Sequence, residues 1–378
     1  MQRITLRIFK NKKDKQKNNM LHFECDYMRG VHPELMRRLT ETNMEQTPGY
    51  GLDEYSERAK RKILEACGLD GNEASLTASE TGNASDTTRP RVFLLVGGTQ
   101  TNATVIDGLI AHYEGVLAAD TAHINTHEAG AIEASGHKVI TLPQHNGKVV
   151  AEDVQKYISD FYRDETYEHM VMPKMLYISH PTELGTLYTH AELEALSRVC
   201  RSNGITLYMD GARLGYGLVA QGTDVTLKDI ARLCDVFYIG GTKVGALFGE
   251  AVVIPNGKLL PHFFSLMKQH GALLAKGRLL GVQFETLFTD DLYLRIAKHA
   301  VDMAMKLKQA FLATGHRLYI DSPTNQQFFI LPNEEIDRLK QYATFELWGP
   351  RGEKGTPVRF VTDWSTKEEE VDELIAHL

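Results

Sequence analysis

Short apolar runs recur along the middle of the chain at residues 92–96, 115–118, 138–142, 175–179, 206–210, 236–239 and 249–254, each of a length that suits a buried strand. Between several of them apolar residues return every three or four positions, most regularly over 151–163 and 189–203, and another helix is predicted over 102–113. Such alternation predicts an α/β domain with a mostly parallel central sheet. Ahead of it, 31–39 and 54–67 carry amphipathic helical spacing, and the Ser-, Thr-, Asn- and Gly-rich stretch 72–90 reads as a surface loop.

The rhythm changes near residue 261. A long helical region is predicted to 314, followed by strands at 317–320 and 327–331 and a helix over 334–342. Strands at 344–348 and 358–362 and a last helix over 368–378 complete the pattern. Helices set apart from adjacent strand pairs predict a smaller C-terminal α+β domain. The expected organisation is a basic tail over 1–19, an N-terminal segment over 20–48 packing with the small domain, a large domain over 49–260 and the small domain over 261–378.

Composition changes this picture little. Hydrophobic residues are 43% and charged residues 24%, ordinary values with ample material for a core. A net charge of −7 gives no reason to expect nucleic acid or an anionic membrane as partner. No apolar run reaches the roughly 18 residues of a membrane span. The first nineteen residues carry seven Lys/Arg against one Asp but no apolar stretch, which reads as a solvated tail rather than a secretory signal. Cys25, Cys67, Cys200 and Cys234 are scattered without a C-x-x-C pair, the usage of a cytoplasmic protein with reduced thiols.

Four stretches carry candidate chemistry. In FLLVGGTQTNATVIDGL a strand meets Gly98-Thr99-Gln100 and then a helix, whose free N–H groups and dipole favour an anion. The spacing is neither G-x-G-x-x-G nor a Walker loop. In LYMDGARLGYG, Asp210 ends an apolar strand, where ligands of open α/β sheets collect, and Arg213 follows; a plain helix N-cap is the alternative. In DTAHINTHEAGAIEASGHK, His123 and His127 are four apart without the glutamate of a zinc helix, so no metal is expected. A ring stacked on a planar cofactor, a base, or a core histidine remain open for them.

The fourth stretch is VFYIGGTKVGALFGEAVVIP, with Lys243 among Gly240, Gly241 and Gly245. An exposed turn lysine is one reading. The other is a partly desolvated amine that loses proton affinity and becomes a Schiff-base nucleophile, the glycines making room for a ring on its nitrogen. Taken together in this order, an anion-binding helix start, a strand-end aspartate and a desolvated lysine are what pyridoxal phosphate needs.

At this point the chain resembles the threonine aldolase branch of the fold-type-I pyridoxal-phosphate enzymes, within the β-eliminating lyase superfamily. The resemblance covers 21–378 and rests on GGTQTN, AHINTHEAGAIEASGHKV, YISHPTELGTLY, LYMDGARLG, YIGGTKVGALFGEA and VRFVTDW. It implies that Lys243 carries the cofactor, that Asp210 pairs with the pyridine nitrogen, that His123 stacks on the ring and that Gly98, Thr99 and Gln100 hold the phosphate. Arg213 and Arg359 resemble the pair that binds the substrate carboxylate. Lys268 or Lys276 is implied to reach the phosphate from a neighbouring subunit of a homo-oligomer, a dimer of dimers. Two positions depart from the pattern: Cys25 stands where many relatives have serine, and Glu183 where many have a second histidine. Glu183 and His127 thus become the expected proton-handling groups. The activity implied is retro-aldol cleavage of a β-hydroxy-α-amino acid, typically threonine or allo-threonine. Alternatives are β-elimination, an aryl-substituted serine as substrate, or a catalytically silent regulatory protein.

Overall fold

The protein is described by a computed structural model covering residues 20–69 and 88–378; the basic tail and most of the polar loop lie outside the described residues. The elements are β1 (Leu21–His22), α1 (Pro33–Glu41), α2 (Glu54–Ala66), β2 (Arg91–Leu95), α3 (Gly98–Leu109), β3 (Glu114–Ala119), α4 (His123–Thr126), α5 (Ala131–Ala134), β4 (Lys138–Leu142), α6 (Ala151–Arg163), β5 (Met172–Ser179), α7 (His190–Asn203), β6 (Thr206–Asp210), α8 (Leu214–Leu218) and α9 (Leu227–Leu233). They continue with β7 (Val236–Gly240), β8 (Glu250–Ile254), α10 (Phe263–Gln269), α11 (Arg278–Leu287), α12 (Leu292–Ala313), β9 (Arg317–Ile320), β10 (Gln326–Leu331), α13 (Asn333–Leu339), β11 (Ala343–Thr344), β12 (Glu346–Leu347), β13 (Thr356–Val361) and α14 (Glu368–Ile375).

Several helix starts follow directly from sequence chemistry. Thr189 and Glu192 form a reciprocal capping box at the head of α7, and Thr226 and Asp229 do the same for α9. Asp53 caps α2 by accepting from the Ser56 N–H. Gly204, left-handed at φ +63°, stops α7 before β6 begins.

A seven-stranded sheet in the order β2-β8-β7-β6-β5-β3-β4 forms the centre. All neighbours within β7-β6-β5-β3-β4 are parallel, and β8 alone runs against β2 and β7. The expected mostly parallel α/β sheet is therefore present. Since β2 and β7 both oppose β8, the carboxyl ends of β2, β3, β5, β6 and β7 share one edge. That edge is where the turn at Gly98, the segment at His123, Ser179, Asp210 and the Lys243 turn meet.

A second, antiparallel sheet, β12-β13-β10-β9, lies in the C-terminal region, as the α+β pattern predicts. The core divides accordingly. One cluster extends through Leu280, Leu287 and Phe284 to Ala300 and Val301. The other takes Leu307, Phe311, Phe329, Val358 and Phe360 together with Leu21 and Phe23. The change from one core to the other falls inside α12. Leu35 of α1 packs into the first core, whereas Leu21 and Phe23 serve the second.

Three local expectations differ from the structure. The helix expected from 102 begins at Gly98, because glycine and threonine lower helix propensity without forbidding a first turn. The long helical region breaks into α10, α11 and α12, with Gly271 left-handed in one break and Asp290 and Asp291 left-handed in the other. The strand expected over 344–348 splits: β11 pairs with the unforeseen β1, while β12 pairs with β13. Among the described residues no helix is long and apolar enough to cross a membrane.

Candidate active site

At the shared strand edge lies a cavity of about 280 Å³ whose walls include Gly98, Thr99, His123, Glu183, Asp210, Arg213 and Lys243. A smaller cavity of about 140 Å³ shares His123, Glu183, Arg213 and Lys243 and adds His127, Trp348 and Arg359. Most of the positions singled out from the sequence, distributed from residue 98 to residue 359, thus converge on one place.

Asp210 is nearly fully buried, and its carboxylate accepts from four donors. Tyr238 donates to Oδ1, as does the Ala212 N–H at 2.9 Å. Tyr177 donates to Oδ2 at 2.6 Å, joined by the Asn102 amide at 3.1 Å. Burial alone would push this carboxyl up. The two phenols and the backbone N–H outweigh it and hold Asp210 below the usual carboxylate range, hence anionic. Asn102 also donates to Glu128 at 2.7 Å and accepts from Tyr208 at 2.8 Å, so a connected polar network underlies the site.

Lys243 follows β7 in a tight turn, its carbonyl accepting from the Tyr216 hydroxyl. Among the described residues its ammonium has no hydrogen-bond or ion-pair partner. Burial lowers its proton affinity, and nearby Arg213 lowers it further, against Asp26, Asp210 and Glu250. The neighbouring glycines serve a different purpose from the one expected. A Cβ on Gly240 would meet the Ala212 carbonyl at 2.4 Å, and one on Gly241 the Gly249 carbonyl at 2.9 Å. Gly245 has φ +87°. They let backbones pack and turn; none of them lines the cavity.

His123 is fixed from two sides. Its backbone N–H donates to Glu183 Oε1 at 3.0 Å, and its ring Nδ1 lies 2.8 Å from Glu128 Oε1. His127 stacks on it with ring centroids 5.7 Å apart and planes 20° from parallel. Burial and the neighbouring His123 push the His127 imidazole below its usual range. Burial pushes the Glu183 carboxyl up despite the Ser179 hydroxyl that donates to it at 2.6 Å. His137 lies elsewhere, buried with Nε2 at 3.1 Å from Asp107.

At the head of α3, Gly97 supplies no side-chain cap, and a Cβ placed on it would meet no atom within 4 Å. The first N–H groups are thus without a side-chain cap, and Gly97, Gly98 and Thr99 line the cavity at the positive end of the helix. Gly98 and Thr99 line the cavity but Gln100 does not; its amide donates to the Gly271 carbonyl at 3.3 Å. Cys25 does not line either cavity; of this segment Tyr27 lines both, while Asp26 is buried. Lys268 and Lys276 also lie outside, the former with its ammonium 4.7 Å from the Tyr50 ring.

Both arginines are engaged. Arg213 makes a two-pronged pair with Asp26, Nε and Nη2 donating at 2.8 and 2.9 Å. Arg359 donates to Gln326 at 2.8 Å and to Glu346, and lies 4.6 Å from the centre of the Trp348 ring. Burial would push Asp26 up, but the Arg213 guanidinium, with Lys243 behind it, holds its carboxyl at about 2. A depressed carboxyl stabilises the fold above its ordinary range and loses that contribution as pH falls toward 2. The expected loss is about 2 kcal/mol between roughly pH 4 and 2. Asp26→Asn should cost about 3–5 kcal/mol at neutral pH by leaving Arg213 unpaired, and should flatten that acid slope in urea unfolding measured from pH 5 to 2.5. An unchanged slope would refute the assignment.

The sequence did not point to Asp26 as an arginine anchor, nor to Tyr177, Tyr238, Asn102 or Glu250. A signal existed for the tyrosines: LYIS, LYMD and FYIG each place a tyrosine two residues before a strand end.

A sequence profile described as Beta-eliminating lyase matches residues 26–331. The chain belongs to that family. Within it, the chain is 40% identical to the solved threonine aldolase of Leishmania major, covering 94% of this chain and 98% of that one with a TM-score of 0.87. The low specificity L-threonine aldolase of Pseudomonas sp. is 29% identical over 364 residues, 94% of this chain and 96% of that protein. Aspartate aminotransferase of Thermus thermophilus shares the fold at 14% identity, covering 97% of this lyase-family chain and 92% of its own, with a TM-score of 0.67.

Proposed function

We propose that the chain is a pyridoxal-phosphate-dependent aldolase that cleaves L-threonine, L-allo-threonine and related β-hydroxy-α-amino acids to glycine and an aldehyde. The observation that carries the reading is an unpartnered, desolvated lysine opening on the same cavity as a buried aspartate held anionic. The residues fit the cofactor. The uncapped head of α3 suits the phosphate, Asp210 a protonated ring nitrogen, Lys243 the aldehyde and His123 a ring face. When bound, the cofactor supplies an electron sink for the charge left on Cα as the Cα–Cβ bond breaks.

The chain's own groups do the rest. Asp210 stays ionised because four donors surround it, and so keeps a proton on the ring nitrogen. Arg213 and Arg359 retain N–H groups beyond those given to Asp26, Gln326 and Glu346, and these would orient a substrate carboxylate. Arg359 Nε is buried without a partner among the described residues. His127, neutral at physiological pH by its lowered proton affinity, would accept the β-hydroxyl proton. Glu183, with its raised carboxyl, would hold or return a proton nearby. The four unpaired cysteines suit a cytoplasmic enzyme. A homo-oligomer, a dimer of dimers, would bring Lys268 or Lys276 of one subunit to the phosphate of another.

Products decide between this reading and β-elimination. Incubation with L-threonine, L-allo-threonine, their D forms and phenylserine should release aldehyde and glycine in equal amounts from the L substrates. Keto acid with ammonia would establish elimination instead.

A further inference from the structure

Glu250 is the one cavity-lining carboxylate that the proposed reaction leaves unused and that sits beside the expected phosphate position. Its placement follows from register. It pairs with Leu95, the last residue of β2, and with Gly240, the last residue of β7. From Leu95 the chain runs into the Gly97–Gly98–Thr99 turn; from Gly240 it runs into Thr242 and Lys243. Glu250 thus stands between the anion cradle and the lysine, and it lines the same cavity as both. It is 3% exposed. The Thr242 hydroxyl donates to Oε1 at 2.8 Å, while Oε2 is buried without a partner.

A buried oxygen with no partner is a costly arrangement unless something fills the space before it. If that something is a phosphate dianion, a carboxylate there would face like charge at short range, whereas a carboxylic acid would donate a hydrogen bond. Resting on the cofactor reading above, we propose that Glu250 is a phosphate-binding acid: it is protonated in the loaded site and donates Oε2–H to the cofactor phosphate. Binding to the ionised form then takes up one proton from solvent, which converts the carboxylate to the acid, and breaks no other bond.

The charged groups facing Glu250 agree. Burial pushes its carboxyl up to about 8, Asp210 adds to the rise, and the Thr242 hydroxyl and Lys243 oppose it. Tyr208, Tyr238 and Tyr293, the phenols within its field, are themselves pushed above their ordinary range and stay neutral. The affinity contributed by the acid is complete below about pH 8 and lost as pH rises above it.

The test uses the full chain stripped of cofactor and pyridoxamine phosphate as probe, which occupies the site without bonding to Lys243. The dissociation constants of wild type and Glu250→Gln are compared at pH 7 and pH 9.5. Titration of the phosphate affects both proteins and cancels in their ratio; because Glu250 raises the proton affinity of Lys243, the same ratio is also taken in a Lys243→Ala background, where its rise with pH should persist. The wild-type to variant ratio should stay near one at pH 7 and rise about thirtyfold by pH 9.5, the linkage of one proton with a pKa near 8. A ratio that does not change with pH overturns the assignment while leaving the cofactor reading intact. So does a variant at least tenfold weaker at pH 7, which would mark Glu250 as a needed anion. Absence of any wild-type binding overturns the cofactor reading as well. Should Glu250→Gln fail to fold, calorimetry of the wild type and of Lys243→Ala at pH 9 in two buffers of different ionisation enthalpy decides: about one proton taken up per ligand in both supports the role, and none, or an uptake lost with the lysine, refutes it.

Discussion

Lys243→Ala is expected to lower aldehyde release on the order of 10⁴-fold or more and to abolish the borohydride-trapped link between chain and cofactor. The size of the effect follows from position. This is the one described lysine lining the cavity between the head of α3 and Asp210. Its ammonium makes no hydrogen bond or ion pair among the described residues, so the substitution removes no polar native contact. The unfolding midpoint of the cofactor-free protein should therefore hold while turnover collapses. Turnover and unfolding measured on the same preparation separate the two effects. A rate within tenfold of wild type would exclude Lys243 from the reaction, and a collapsed midpoint would make the loss a folding defect.

Asp210→Asn is expected to retain cofactor but slow the reaction on the order of 10³-fold. An amide of the same shape keeps an oxygen for one pair of donors. It also turns an NH₂ toward partners that now donate, so one of the Tyr177 and Tyr238 hydroxyls must reverse. That conflict costs about 1–3 kcal/mol of stability. The larger loss is charge, because a neutral amide does not keep a proton on the ring nitrogen. Cofactor absorbance, kcat and KM measured together give the reading: occupancy near that of wild type with a fallen kcat and a little-changed KM. Normal kcat would remove Asp210 from the electron-sink role.

Strand periodicity made the fold legible because a buried parallel sheet writes itself as short apolar runs. The runs at 206–210 and 317–320 and the helix over 151–163 coincide with β6, β9 and α6. What the sequence hid depends on partners far away in the chain. Two residues at Leu21–His22 form a strand only because Ala343–Thr344 lies beside them.

The site divides in the same way. Lys243, Asp210, His123 and the Gly98 turn were visible because each ends or follows a strand, and topology gathers strand ends. Asp26 was hidden because its meaning depends on Arg213, which lies 187 positions along the chain. The glycines around Lys243 answer to packing instead: a Cβ on Gly240 or Gly241 would meet backbone carbonyls and one on Gly245 the Ile296 side chain.

The N-terminal thread has a consequence for biosynthesis. Phe23 accepts a hydrogen bond from the Val361 N–H, Leu21–His22 pairs with Ala343–Thr344, and Asp26 is held by Asn325 as well as Arg213. The first described residues to leave the ribosome must therefore wait for the last ones before they find their places. A nascent chain arrested before residue 325 carries the lysine and the aspartate but lacks Asn325, one of the two groups that hold the Arg213 counter-ion Asp26.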